Sequence, residues 1–158
     1  MSASPRREGP TEPPPKPWVR PHHVGISVGD LEASVAWYEQ ALGFELESLS
    51  AVPEDVGRLA MLVNDAGFRV ELFELPGAAP LPDERRHPTF DLRTHGVKHV
   101  AYEVSGIEGY AERLRGAGVD VVWDVRVHDD LKVPFVRDNT GNLVELVEQD
   151  EPGDDERT

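Results

Sequence analysis

Four side chains of metal-ligand type stand at matched places in this 158-residue chain: His23 and Glu71 in its first half, His99 and Glu145 in its second. The histidines are 76 residues apart and the glutamates 74. Two neutral imidazoles and two carboxylates balance the charge of one divalent ion and offer it mixed nitrogen and oxygen ligation. Ni, Zn, Co, Fe and Mn all accept such a set, and the residue types do not choose among them. Taken singly, a His that opens a strand is ordinarily a polar strand end, and a Glu within a strand is ordinarily solvated. Four ligand types at repeat-equivalent positions on one face are much harder to obtain by accident, so the metal reading is preferred.

The elements that must hold these residues form an internal duplication. His23 to Leu46 (HVGISVGDLEASVAWYEQALGFEL) and His99 to Val122 (HVAYEVSGIEGYAERLRGAGVDVV) each begin His-Val and alternate for six residues. Each then offers a helix start, at Asp30 or Ser105. The first helix carries an apolar stripe of Leu31, Val35, Tyr38 and Leu42, the second one of Ile107, Tyr110, Ala111 and Leu114. Gly43 and Gly118 stand where a left-handed C-cap ends each helix. A strand follows, then a hairpin: Arg58–Asn64 turning to Phe68–Leu75, and Lys132–Asp138 turning to Asn142–Glu148. Both modules therefore read β-α-β-β-β, an α+β architecture.

Strand alternation puts Val24, Ile26 and Val28 on one face and His23, Gly25 and Ser27 on the other. In the second copy Val100, Tyr102 and Val104 oppose His99, Ala101 and Glu103. Val70 and Leu72 oppose Arg69, Glu71 and Phe73, while Val144 and Leu146 oppose Leu143, Glu145 and Val147. The apolar faces should pack on the helices, which leaves both His and both Glu on the opposite face.

The predicted organisation is a Pro-rich tail at 1–17, a first module at 18–75, a connector or lid at 76–97, a second module at 98–149 and an acidic tail at 150–158. Four prolines in the connector suit either a disordered linker or a functional lid. The absence of cysteine excludes disulfides, thiolate metal sites and thiol nucleophiles, and fits a reducing cytoplasm. Thirty acidic against 16 basic residues give a formal charge of -14, which repels phosphate backbones and anionic lipid. No apolar run reaches the ~20 residues that span a bilayer, and neither a signal peptide, a nucleotide loop nor a Ser-His-Asp arrangement is apparent. The expected partner is thus a small molecule, with no nucleic acid and no membrane.

The segments HHVGISVGDLEASVAWYEQALGF, VELFE, HVAYEV and FVRDNTGNLVELVE, within about Pro21 to Gln149, resemble the vicinal oxygen chelate superfamily. That superfamily includes glyoxalase I, methylmalonyl-CoA epimerase, extradiol dioxygenases, fosfomycin-resistance enzymes and bleomycin-binding proteins. The resemblance implies a curved, U-shaped mixed sheet around a metal cavity, with ligation by His23 rather than His22 and by Glu71, His99 and Glu145. A two-His, two-Glu set is most similar to glyoxalase I, a lyase and isomerase that moves a proton beside a metal-chelated pair of substrate oxygens. Glu145, with Glu71 as its pseudo-symmetric partner, is then the expected proton shuttle. Epimerases usually carry Gln where Glu71 stands and a catalytic Glu in the third strand, around Ala60. A ligand-sequestering resistance protein and an Fe(II) dioxygenase are the alternatives. Glu103 and Arg69 share the ligands' face, and Lys132 sits near a strand that lines the cavity, so these three are the candidate substrate contacts. His128 and Arg126 lie near the same strand, with a surface role expected. His22 is expected to be a neighbour of the ligand and nothing more, His87 and His95 to be exposed or to touch a lid, and Trp37, Tyr38 and Trp123 to pack. Family analogy implies a homodimer in which the four ligands come from one chain or from two.

Overall fold

The computed structural model describes residues 19–53 and 56–149; both tails expected at the termini lie outside that range. The first module runs β1 (His23–Ser27), α1 (Leu31–Leu42), β2 (Glu45–Ala51), β3 (Arg58–Val63) and β4 (Arg69–Glu74). A 3-10 turn (Asp83–Arg86) and a short helix α2 (Pro88–Asp91) lead into β5 (Val100–Glu103), α3 (Ile107–Gly116), β6 (Asp120–His128), β7 (Leu131–Arg137) and β8 (Leu143–Gln149). The strands form two mixed four-stranded sheets, ordered β1-β4-β3-β2 and β5-β8-β7-β6. In each, the first strand runs parallel to the last and the other pairings are antiparallel. The α+β duplication expected from the repeat is the fold.

Each helix covers the apolar face of its own sheet. Leu31, Tyr38, Ala60, Leu62, Val70 and Leu72 are buried together in the first core, and Ile107, Leu114, Val136, Val144 and Leu146 in the second. Each buried Leu, Ile or Val among them contributes about 1.5–3 kcal/mol, enough to fix which face of a strand turns inward. The modules meet through their helices: Ala41, Trp37 and Leu42 of α1 pack into the second core. The Tyr110 hydroxyl donates to the Ala41 carbonyl at 2.5 Å. Tyr102 is wedged edge-on between Phe44 and Phe68.

The helix ends differ from one another. Asp30 caps α1 through its carboxylate, which accepts from the Ala33 N–H at 2.9 Å, and Gly43 ends it at φ 70°. α3 starts one residue later than Ser105 suggests: Gly106, at φ 67°, is the cap and has no side chain to offer. The missing acceptor comes from the far end of the module, where the Glu148 carboxylate takes the N–H groups of Gly106 and Ile107. Its repeat mate Glu74 accepts from Leu31 N–H at 3.2 Å. A carboxylate at a helix N-terminus satisfies orphan donors and complements the helix dipole.

Candidate metal and substrate site

The register of each sheet carries the ligand-type residues to equivalent places. In the first, β1 and β4 run side by side with Gly25 opposite Glu71 and His23 opposite Arg69. In the second, β5 and β8 put Ala101 opposite Glu145. A glycine stands beside Glu71 and an alanine beside Glu145; the Phe73 ring packs over Gly25, where an added Cβ would lie 3.1 Å from it and 4.0 Å from Glu71 Oε2.

Each His meets the Glu of its own module. His23 Nε2 is 3.3 Å from Glu71 Oε2, and His99 Nε2 is 3.1 Å from Glu145 Oε2. Two donor atoms each about 2.1 Å from a shared ion, at about 90–110° to one another, stand about 3.0–3.4 Å apart. Both pairs thus have the donor chemistry and the spacing of adjacent ligands. The side chains are accessible, with 39% of His23 and 32% of His99 exposed against 19% of Glu71 and 20% of Glu145.

The rings are also oriented from behind. His23 Nδ1 lies 2.8 Å from His22 Nδ1, one donating and the other accepting according to tautomer. This bond leaves Nε2 directed at Glu71, the usual way a second group sets the ligating nitrogen of an imidazole. His22 is therefore more than a neighbour in sequence. His99 is held by edge contact with Phe135, centroids 5.1 Å apart.

The two pairs do not merge within one chain. Among the described residues, only Asp30, Glu32 and Glu74 bring three ligand-type atoms within 4.8 Å of one another. That cluster is already committed, because Arg58 bridges Glu32 and Glu74 and Glu74 caps α1. Among the described residues, the outer edges of β1 and β5 lack strand partners, and both strands line a cavity of about 760 Å³ that includes Gly25, Ser27 and His99.

The two ligand faces are covered unequally. On the first, Leu59, Met61 and Phe73 stay partly exposed. On the second, Val133, Phe135 and Leu143 are buried with Trp123 beside them. The connector supplies the cover, since His87 lies edge-on to Trp123 at 6.1 Å and stacks with Phe90 at 4.6 Å. The connector folds locally as the 3-10 turn and α2. Pro88 opens α2, the His87 ring accepts from Thr89 N–H at 3.3 Å, and buried Asp91 pairs with Arg85 and Lys98.

The three candidate substrate contacts separate. Arg69 stands beside His23 but forms a two-pronged pair with Glu47, at 2.8 and 2.7 Å; that partner raises its pKa further above the usual arginine value. Glu103 is exposed at the end of β5 on the face of Ala101. Lys132 is turned the other way, to the helix side, where it pairs with Glu108 at 3.2 Å and lies 3.8 Å from Glu148. It repeats the place of Arg58 in the first module, so its surroundings are those of a helix-end ion pair. Arg126 stacks over the Trp123 ring at 3.9 Å. Tyr38 is fully buried packing, and Ala60 lies in the helix-side core, so β3 presents only Leu59, Met61 and Val63 to the ligand face and offers no carboxylate there.

Residues 20–146 match the family model described as "Glyoxalase/Bleomycin resistance protein/Dioxygenase superfamily". The chain belongs to that superfamily. Among curated relatives, an ethylmalonyl-CoA/methylmalonyl-CoA epimerase of Cereibacter sphaeroides is 31% identical over 65% of this chain and 74% of its own length. A lactoylglutathione lyase of Neisseria meningitidis is 29% identical over 84% of this chain and 92% of its own. A glyoxalase family protein from Enterococcus faecalis superposes with a TM-score of 0.68 at 27% identity, over 82% of this chain and 97% of that one. A Frankia glyoxylase/bleomycin resistance protein/dioxygenase domain reaches a TM-score of 0.71 at 22% identity, covering 86% and 96%, and shares the fold. No helix among the described residues is long and apolar enough to cross a membrane.

Proposed function

We propose that this superfamily member is a divalent-metal-dependent lyase or isomerase of the lactoylglutathione lyase kind. It would act on a small substrate with two adjacent oxygens, as a homodimer in which His23 and Glu71 of one chain face His99 and Glu145 of the other. The observation that carries this is the pair of His–Glu contacts at 3.3 and 3.1 Å on repeat-equivalent strands, both at ion-sharing distance and both beside an unpaired sheet edge. Their separation within one chain, with the modules joined through α1 and α3, favours a site completed by a second copy.

The donor set fits a divalent ion, which when bound supplies Lewis-acid stabilisation of negative charge developing on substrate oxygen, worth several kcal/mol. The chain's own residues do the rest. His22 and Phe135 fix the imidazoles. Glu145 and Glu71, about one-fifth exposed, would take a proton from a substrate carbon and return it to the neighbouring carbon. Phe73 beside Glu71, and Phe135 beside Glu145, form apolar walls that strengthen such electrostatic contacts. The connector cap of His87 and Phe90 narrows access on one side.

An epimerase reading has a relative in its favour at 31% identity, but the carboxylate-free ligand face of β3 favours the lyase. The test is to strip the protein with chelator, reload it with each of Ni, Zn, Co, Fe and Mn, and assay lactoylglutathione lyase and methylmalonyl-CoA epimerase activities side by side. Metal-restored lyase activity that Glu145→Gln abolishes while metal remains bound is the expected result. Full activity after chelation, or epimerase activity alone, would overturn the proposal.

A further inference from the structure

A second cavity, of about 320 Å³, lies between α1, α3 and the turn that joins β7 to β8. None of His23, Glu71, His99 or Glu145 lines it. Its walls bring together Arg86 of the connector, Arg113 of α3 and Arg137 at the end of β7, with Trp37 and Gln40 of α1 alongside. In a chain of net charge -14, three arginines against Asp120 and Asp138 give this wall a positive balance.

Two of them lack carboxylate partners among the described residues. Arg113 stacks over the Tyr110 ring at 4.4 Å, and the Arg86 guanidinium lies close over Gly141, where an added Cβ would fall 2.8 Å from Cζ. The third is only partly engaged. Arg137 Nε is 3.0 Å from Asp120 Oδ2, yet this buried N–H has no aligned acceptor. The other carboxylate in the wall, Asp138, is buried and already accepts from the N–H groups of Thr140, Gly141 and Asn142 at 2.8–2.9 Å. Guanidiniums without a carboxylate partner, as at Arg86 and Arg113, are the donors that an oxyanion would engage.

We propose that this cavity is a binding site for a small oxyanion, a phosphoryl or carboxylate group, apart from the His–Glu face. Arg86 and Arg113 supply forked donors, Arg137 adds a third positive charge at the wall, and Gln40 offers an amide. The planar guanidinium suits both anions, since each presents paired oxygens at its spacing.

Calorimetric titration of the full chain with inorganic phosphate, and separately with succinate, at ionic strength fixed by sodium chloride tests the site. Saturable binding at one site per chain by either anion is expected, and the preferred one names the source. Arg86→Gln with Arg113→Gln should weaken binding by at least about tenfold, through loss of two charge-assisted donors. Should the double variant fold poorly, the exposed Arg113→Gln alone carries the test. No saturation by either anion, or equal affinity in a variant with a native circular dichroism spectrum, would overturn the site.

Discussion

If each metal site draws one His–Glu pair from each of two chains, activity lost in two different variants returns when they are mixed. Take one variant with His23→Ala and Glu71→Ala, and another with His99→Ala and Glu145→Ala. Each homodimer then has only half-sites. In a mixed dimer, the intact first module of one chain meets the intact second module of the other, so one of its two sites is whole. Random exchange of equal amounts makes half of the dimers mixed, so bound metal and turnover should each recover to about 25% of wild type. The substitutions are well placed for this, because the four side chains are part-exposed and lie on the face away from both helix cores; stability should change by no more than about 1 kcal/mol. The assay is metal content and lyase activity after partial unfolding, mixing and refolding, with each variant alone as control. A mixture as empty as its components, although size analysis shows mixed dimers, would refute a shared site.

Other outcomes follow from particular contacts. Glu148→Gln weakens the carboxylate that receives the first N–H groups of α3 and pairs with Lys132; a loss of about 0.5–2 kcal/mol is expected, read as a lower urea midpoint at unchanged slope. Burial foremost, and the nearby Asp138 carboxylate next, push the Tyr38 hydroxyl well above its ordinary pKa of 10.0. The folded state thus holds this proton more tightly than the unfolded chain, and its contribution is complete below pH 10 and lost as pH rises beyond it. Tyr38→Phe should blunt the alkaline loss of stability in thermal melts, at a neutral-pH cost of about 0.5–1.5 kcal/mol for the hydroxyl's hydrogen bond. At the acid end, the bond from Arg58 holds Glu32 below its ordinary 4.5. Its stabilisation is present above that value and fades as pH falls through the lowered pKa, and Arg58→Gln should remove this step from an acid titration.

Much of this was legible in the residues because duplication doubles every signal. The strand alternation around Glu71 and Glu145 placed both on the face opposite Leu72 and Leu146, and Asp30 and Gly43 marked the ends of α1. What escaped depends on partners distant in sequence. Ser105 looked like a cap because its type suits one, whereas the acceptor comes from Glu148, 41 residues beyond Ile107. The clue was present: VELFE and VELVE each carry a second acid three positions after the first, which alternation sends to the helix side. Lys132 follows the same logic, since one step of register turns it toward Glu108. The connector's four prolines hid the pairing of Asp91 with Arg85 and Lys98 that folds it over Trp123.

The proposed site holds a single divalent ion shared by His23, Glu71, His99 and Glu145. Its most direct test is metal content per chain, by mass spectrometry, after reloading and gel filtration. The prediction is one ion per chain in the wild type and close to none in either His23→Ala or His99→Ala, each folded as the wild type. A full complement of metal in both variants would contradict it.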